Sequence, residues 1–470
     1  MLSSRRVRTA VLSPRYPPRL IAAASLRVAR RGQHPPDRQP RTTTVRTTAL
    51  TIHPLRTRHH VIAPSLCVAD AAAASVFGAA RMRGPIARDV IAEVTSLSIA
   101  TVNRQVTALL DAGLLRERAD LAVSGAIGRP RVPIEVNQEP FLTLGLHIGA
   151  RTTSIVATDL FGRTLDVVET STPRTAQKAA LESLAGSARR YLSRWHRRRP
   201  LWVGVAIGGA VDGTTGHVEH ARLGWTDAPV GPVLAETLSL PVSVASHVDA
   251  MAGAELLLGM RRFAAGSSSR PGGQERSDRG SCLYIYARET VGYALVIDGR
   301  VHTPASGPGT IAALPAQSEL LGGSGRLEST VSDEAVLAAA QRLRIVSARG
   351  ANATLATLLR AARQGSEPAR ELLGERARVL GEAVALLRDM LNPDDVVVGG
   401  QAFTEYPEGM SLVDAAYTAR CVLPPRDIRV TVFGNRVQEA GAGVVSLGGL
   451  YADPIGAMRR ALTRRPEVSA

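Results

Sequence analysis

Lysine is almost missing from this chain: of its 57 basic residues only Lys178 is a lysine, and the other 56 are arginines. That bias fits an arginine- and alanine-favouring, GC-rich coding background as well as a binding role. The net charge of +16 is therefore not in itself a sign of nucleic-acid affinity. Acid is scarce where the charge gathers, since residues 1–60 hold thirteen arginines against the single acid Asp37. The rest of the chain is then close to neutral, at roughly +4. Cysteine is rare as well. Cys67, Cys282 and Cys421 lie far apart and form no CxxC pair, which excludes a zinc ribbon or a disulfide framework and fits a reducing compartment. No apolar run reaches 18 residues, so no membrane-spanning helix is expected and the expected location is the cytoplasm.

What is present is a globular composition, 45% apolar and 21% charged over 470 residues, enough for two or three domains. The first 60 residues are the exception. Rich in Arg, Pro, Thr and Ser, with no sustained period, they are expected to be a disordered extension. A transit-peptide-like segment, a basic DNA-binding arm and an upstream extension without function all fit that composition.

Over 61–137 the pattern turns helical. Gly84-Pro85 is expected to end one helix and open the next, with Pro85 in its first turn. A second helix is expected at about 87–94, followed by a Thr95-Ser96-Leu97 turn. Ser98 then serves as N-cap of a third helix. In that helix Val102, Val106 and Leu109 repeat at i, i+4, i+7 as a buried stripe. The opposite face offers Ala100, Thr101, Asn103, Arg104 and Thr107, short or polar side chains suited to phosphates and base edges in a major groove. Gly113 ends the helix. RERADLAVSGAIGRPRVPIEVN follows as two short strands about a Gly/Ser turn, with Arg129 and Arg131 on a stiff segment suited to a minor groove. This order of elements resembles the winged helix-turn-helix of bacterial regulators, specifically that of the ROK family (repressors, open reading frames and kinases).

From 141 to 455 strands and helices alternate in two similar halves, with a flexible insertion at 264–281 and a tail at 456–470. The segments DLFGRTL (159–165), AIGGAVDGTTGHV (206–218), LGW (223–225), LPVSVASHVDAMAGAE (240–255) and LNPDDVVVGG (391–400) also resemble ROK proteins. The implied fold class is α/β: a winged helix-turn-helix followed by a two-lobed, actin-like ATPase fold.

The resemblance also implies where a kinase would keep its machinery, and this chain departs from it. His247 stands at the family's catalytic Asp, in Ser246-His247-Val248-Asp249, and His147 stands at the Asp of the first phosphate loop. The glycine-rich second loop is matched by Arg288-Glu289-Thr290-Val291-Gly292-Tyr293-Ala294. Arg222 replaces a sugar-binding Asn, Thr310 and Ala313 replace a Glu and a His, and Glu328 alone keeps a sugar-contact identity. The family's zinc-binding cysteines have no counterpart in 314–328, so neither metal nor cofactor is expected. The chain is expected to be no enzyme but a regulator that binds double-stranded operator DNA as a homodimer or homotetramer. Arg222, His247, Asp249, Thr310 and Glu328 are the candidate residues for a small-molecule effector, for which Arg222 and His247 suggest an anion.

Overall fold

In the computed structural model the described residues are 61–122, 132–259, 280–304, 307–346 and 354–462. The reader begins with α1 (Ala72–Arg83), α2 (Arg88–Thr95) and α3 (Ile99–Asp111). Ser96 takes a left-handed backbone that turns the chain between α2 and α3. Ser98 caps α3 as its spacing predicts, its side chain accepting from the Thr101 amide at 3.2 Å. Val102, Val106 and Leu109 are wholly buried, at about 1.5–3 kcal/mol for each such side chain. Gly113 ends the helix at φ +73°, a conformation that favours glycine.

Pro85 departs from expectation. It lies outside α2, which starts three residues later, and the neighbouring Ile86 instead bridges Ile134. The wing is represented by its base, β1 (Leu115–Glu117) paired antiparallel with β2 (Ile134–Val136). Arg129 and Arg131 lie outside the described residues, as do most of the 264–281 insertion and all of 1–60.

The second region holds two sheets of matching plan. In lobe I, β3 (Phe141–Ile148), β4 (Thr152–Thr158) and β5 (Thr164–Ser171) run antiparallel. β6 (Arg199–Ile207) and β10 (Val242–Ser246) extend the other edge in parallel, giving the order β10-β6-β3-β4-β5. Lobe II repeats this with β11 (Ser281–Ala287), β12 (Val291–Ile297) and a two-residue β13 (Arg300–Val301) antiparallel, a two-residue β14 (Gly309–Thr310) paired antiparallel with the start of β12, and β15 (Asp395–Gly399) and β16 (Ile428–Val430) parallel. Parallel central strands covered on both faces need continuous apolar runs, and LWVGVAI and DVVVG supply them. Between β6 and β10 a small sheet of β7 (Ala210–Asp212), β8 (His217–His220) and β9 (Trp225–Ala228) is inserted.

Helices α4 (Gln177–Leu192), α5 (Val230–Leu238) and α6 (His247–Leu257) belong to the first half. In lobe II follow α7 (Leu327–Val331), α8 (Asp333–Arg342), α9 (Leu355–Arg363), α10 (Glu367–Leu391), α11 (Gln401–Thr404) and α12 (Met410–Arg420). The chain then returns to lobe I as α13 (Val437–Ala452), which packs across β3 and β6. That packing needs glycine in the strands: a Cβ on Gly204 would fall 2.1 Å from the Ser446 amide.

Two boundaries differ from the sequence reading. The expected tail at 456–470 begins as helix α14 (Pro454–Leu462), with Ala457, Met458 and Ala461 buried and the Ala461 carbonyl accepting from Arg199. Residues 61–68, read as part of the reader, lie instead along the second region, bridging Val61 to Val242 and Cys67 to Arg300. Among the described residues no helix is long and apolar enough to cross a membrane.

Candidate nucleic-acid interface and interlobe cleft

On α3 the residues singled out for DNA stand outward. Ala100, Asn103, Arg104 and Thr107 are exposed, and Thr101 is half-buried beside the Ser98 cap. The neighbouring arginines are already engaged: Arg88 pairs with Glu117 at 2.9 Å, Arg116 with Glu135 at 2.7 Å, and Arg118 with Asp120 at 2.6 Å. Arg104 makes no ion pair among the described residues. A basic side chain on an exposed helix face with nothing intramolecular to hold it is free to meet a phosphate or a guanine edge.

The reader is fastened to the second region by packing. Arg81 on α1, 92% buried, donates to the Leu257 carbonyl at 3.2 Å and lies 3.9 Å above the Tyr451 ring of α13. Phe77 meets the same ring at 6.4 Å, and the Tyr451 hydroxyl donates to the Leu160 carbonyl. A guanidinium stacked on an aromatic face gains about 0.5–2 kcal/mol, more as water is excluded. One continuous apolar core therefore runs from the reader's Val76, Val102 and Leu109 to Val445 and Met458.

Between the lobes lies a cavity of about 350 Å³. Its lobe I wall carries three imidazoles: His147 at the end of β3, His220 at the end of β8, and His247 in the first turn of α6. His147 and His247 are nearly coplanar in orientation, 9° apart with ring centres at 6.1 Å, and Tyr286 of lobe II approaches His247 at 5.3 Å. Burial, then the neighbouring His247 and Arg288, pushes His147 down to about 3. Burial, then His220 and Arg288, pushes His247 down to about 4. His220 is lowered too, chiefly by burial. All three rings are neutral near pH 7. Asp249, its side chain turned from the cleft toward a neighbouring hollow, is raised by burial to about 6.

This wall is poorly suited to proton abstraction from a hydroxyl. A general base works best with a pKa near the operating pH, and His247 lies well below it. The opposite wall is poorly suited to a nucleotide. β11 ends at Ala287 and β12 starts at Val291, so only Arg288, Glu289 and Thr290 form the turn. The first amide beyond it, that of Val291, already donates to Glu328 Oε2 at 3.2 Å. A carboxylate thus occupies an amide that a phosphate cradle would need free. Tyr293 packs against Gly309, where a Cβ would come within 2.9 Å of its ring.

The expected effector residues do not act as one set. Arg222, Thr310, Glu328 and His247 line the cleft, whereas Asp249 does not. Arg222 is not available as a free cation: it donates to Glu328 at 3.2 Å and to the Glu289 carbonyl at 3.0 Å. Sequence reading had no means of finding that pair, whose members are 106 residues apart. Nor did it single out Arg151, which reaches across to Glu334 at 2.6 Å, or Gln438, which accepts from Arg288 and donates to Tyr286. Among the described residues no group of three His, Cys, Asp or Glu side chains is placed to hold a metal ion.

The model of the ROK family matches residues 143–417, more than half of the chain. This chain belongs to the ROK family. A protein of Mycobacterium tuberculosis named a transcriptional regulator is 73% identical over 415 residues, covering 87% of this chain and 92% of that protein. The N-acetylglucosamine repressor of Shigella flexneri is 24% identical over 348 residues, covering 70% of this chain and 80% of its own. Among solved structures, a ROK family transcriptional regulator homologous to the Escherichia coli MLC protein superposes with a TM-score of 0.65 at 21% identity. It covers 84% of this chain and 99% of that one. A ROK family glucokinase from Streptomyces griseus, in complex with glucose and AMPPNP, superposes at 0.55 with 20% identity, over 65% of this chain and 99% of its own. The two structures share the two-lobed ROK fold with this chain, and the regulator match extends over more of it.

Proposed function

We propose that this ROK protein is a sequence-specific, DNA-binding transcriptional regulator whose two-lobed region has lost kinase chemistry and serves assembly and ligand response. The observation that carries the reading is the capped helix α3. It presents Asn103, Arg104 and Thr107 outward, with no ion pair to the guanidinium among the described residues, in a chain 73% identical to a protein named a transcriptional regulator. Two such readers related by a dyad would double the base contacts that one helix can make, so a homodimer or homotetramer is the form expected to bind. With Arg222 paired to Glu328 and three neutral imidazoles opposite, the charge that Arg222 and His247 would offer a strongly anionic effector is not available in the cleft.

Genome-wide mapping of bound DNA, followed by gel shifts on the recovered duplex, tests the proposal. Binding should weaken steeply as salt rises, because arginine–phosphate contacts release counterions. A fluorescent fusion should lie with the nucleoid. Failure to enrich any sequence, or a flat salt response, would overturn the reading.

The same protein should show no ATP-dependent phosphorylation of glucose, N-acetylglucosamine or mannose. Loss of a general base alone typically costs about 10²–10⁴-fold in rate. His247→Asp should not restore turnover, because the Arg288–Thr290 turn and the Glu328–Val291 bond would remain. Turnover in either form, measured by coupled ADP release, would contradict the loss of kinase chemistry.

A further inference from the structure

Among the described residues, 61–68 lead into the reader and touch the sheets of both lobes. At one end, Val61 bridges Val242 on the edge strand β10. The Ile62 amide donates to the Val242 carbonyl at 2.8 Å, and Ser243 Oγ donates to the Ile62 carbonyl at 2.8 Å. At the other end, Cys67 bridges Arg300 on the edge strand β13. The Val301 amide donates to Leu66 at 2.9 Å and the Val68 amide to Gly299 at 2.8 Å. Between the two ends the segment crosses helices α13 and α6. A Cβ on Gly448 would fall 2.1 Å from the Ser65 carbonyl oxygen, and one on Gly253 would fall 2.9 Å from Leu66. Helix α1 starts at Ala72, four residues beyond Val68.

We infer that residues 61–68 form a strap, pinned to both lobes, which transmits opening of the cleft to the DNA reader. This rests on the regulator reading above. A segment hydrogen-bonded to two sheet edges cannot keep both sets of bonds if the edges move apart. One end must slip, and the end bonded to β13 leads within four residues into helix α1 of the reader. The cleft is held shut across the lobes by Arg222–Glu328 and Arg151–Glu334, so breaking one of these pairs loosens the lobes without any ligand. A ligand that wedges the cleft would act through the same displacement.

The test uses hydrogen–deuterium exchange of the intact protein without DNA, so its outcome is independent of whether an operator exists. Glu328→Ala should raise exchange at 242–246 and in the reader helices 88–111, by about threefold or more. Ile62→Pro removes the amide that bonds Val242, and Val68→Pro the one that bonds Gly299. In either background Glu328→Ala should leave the reader's exchange unchanged. Ser243→Ala, which removes the side-chain bond to the strap together with the one that Ser243 Oγ accepts from Trp202 at 3.1 Å, serves as a milder variant should the prolines unfold the chain. It should reduce the reader's response in the same direction. An equal response of the reader with and without the strap's anchors, or no response to Glu328→Ala in the parent protein, would overturn the inference.

Discussion

Arg104 differs from its neighbours in making no ion pair among the described residues. Arg88, Arg116 and Arg118 sit beside carboxylates, so their substitution would disturb the reader itself. Arg104→Ala should leave the melting temperature unchanged. It should cost about 1–3 kcal/mol of operator affinity if the guanidinium grips a base bidentately, and relax preference at that base pair. Gel-shift titration against single-base variants of the recovered duplex measures both effects. The cleft histidines give a second prediction at this scale. His147 and His247 have folded pKa values below their unfolded ones, so the unfolded chain binds protons first as pH falls. The stability they confer is complete above about pH 6.5 and is lost as pH falls through about 4 for His247 and about 3 for His147. Asp249, with its raised value, works the other way between about pH 4 and 6 and offsets part of the loss. Histidine resonances followed by NMR should show these two rings still neutral at pH 5.5, and melting temperature should fall with acidification below about 6.5. Titration of both rings near their ordinary value would disprove the burial argument.

For helix α3, local rules and tertiary packing agree. The Ser98 cap, the Val102, Val106 and Leu109 stripe and the Gly113 stop were all legible in the sequence, because each depends on residues within one or two turns. Ser98→Ala should therefore cost about 0.5–2 kcal/mol and fray the recognition helix at its N-terminus, lowering DNA affinity without touching a base. Urea denaturation and the gel shift together check this; an unchanged denaturation midpoint would mean that packing alone holds the helix. Pro85 shows the limit of local reasoning. Proline favours a first helical turn, but pairing of Ile86 with Ile134 from the far side of the wing keeps this stretch extended.

Over the whole molecule, reader and lobes share one core, and helix α14 closes the joint with Met458 and Ala461 buried and Arg199 bound to its last turn. Removing residues 454–470 should destabilise the protein by about 3–6 kcal/mol, as expected for losing several buried apolar side chains. Removing residues 1–60 should leave the melting curve in place and lower non-specific DNA binding through the lost positive charge. Calorimetry of the two truncations separates the cases. Equal effects would mean that the Arg-rich extension contributes to the fold.

Composition and periodicity by themselves determined the α/β character, the reader's helices and the two families of strands. These are properties of residue type and of spacings no longer than a turn or a strand. The tertiary structure decided what the survivors do. Arg222 and Glu328, separate candidates for a ligand, neutralise one another across the cleft. His147, His220 and His247 become a neutral wall because burial costs their charged forms more than any partner returns. Residues 61–68, read as the reader's leading edge, become a strap because two sheet edges leave backbone groups to be satisfied there. Such pairings join residues 106 and 181 positions apart in sequence. No window on the sequence contains both partners, and only the fold brings them within hydrogen-bonding distance.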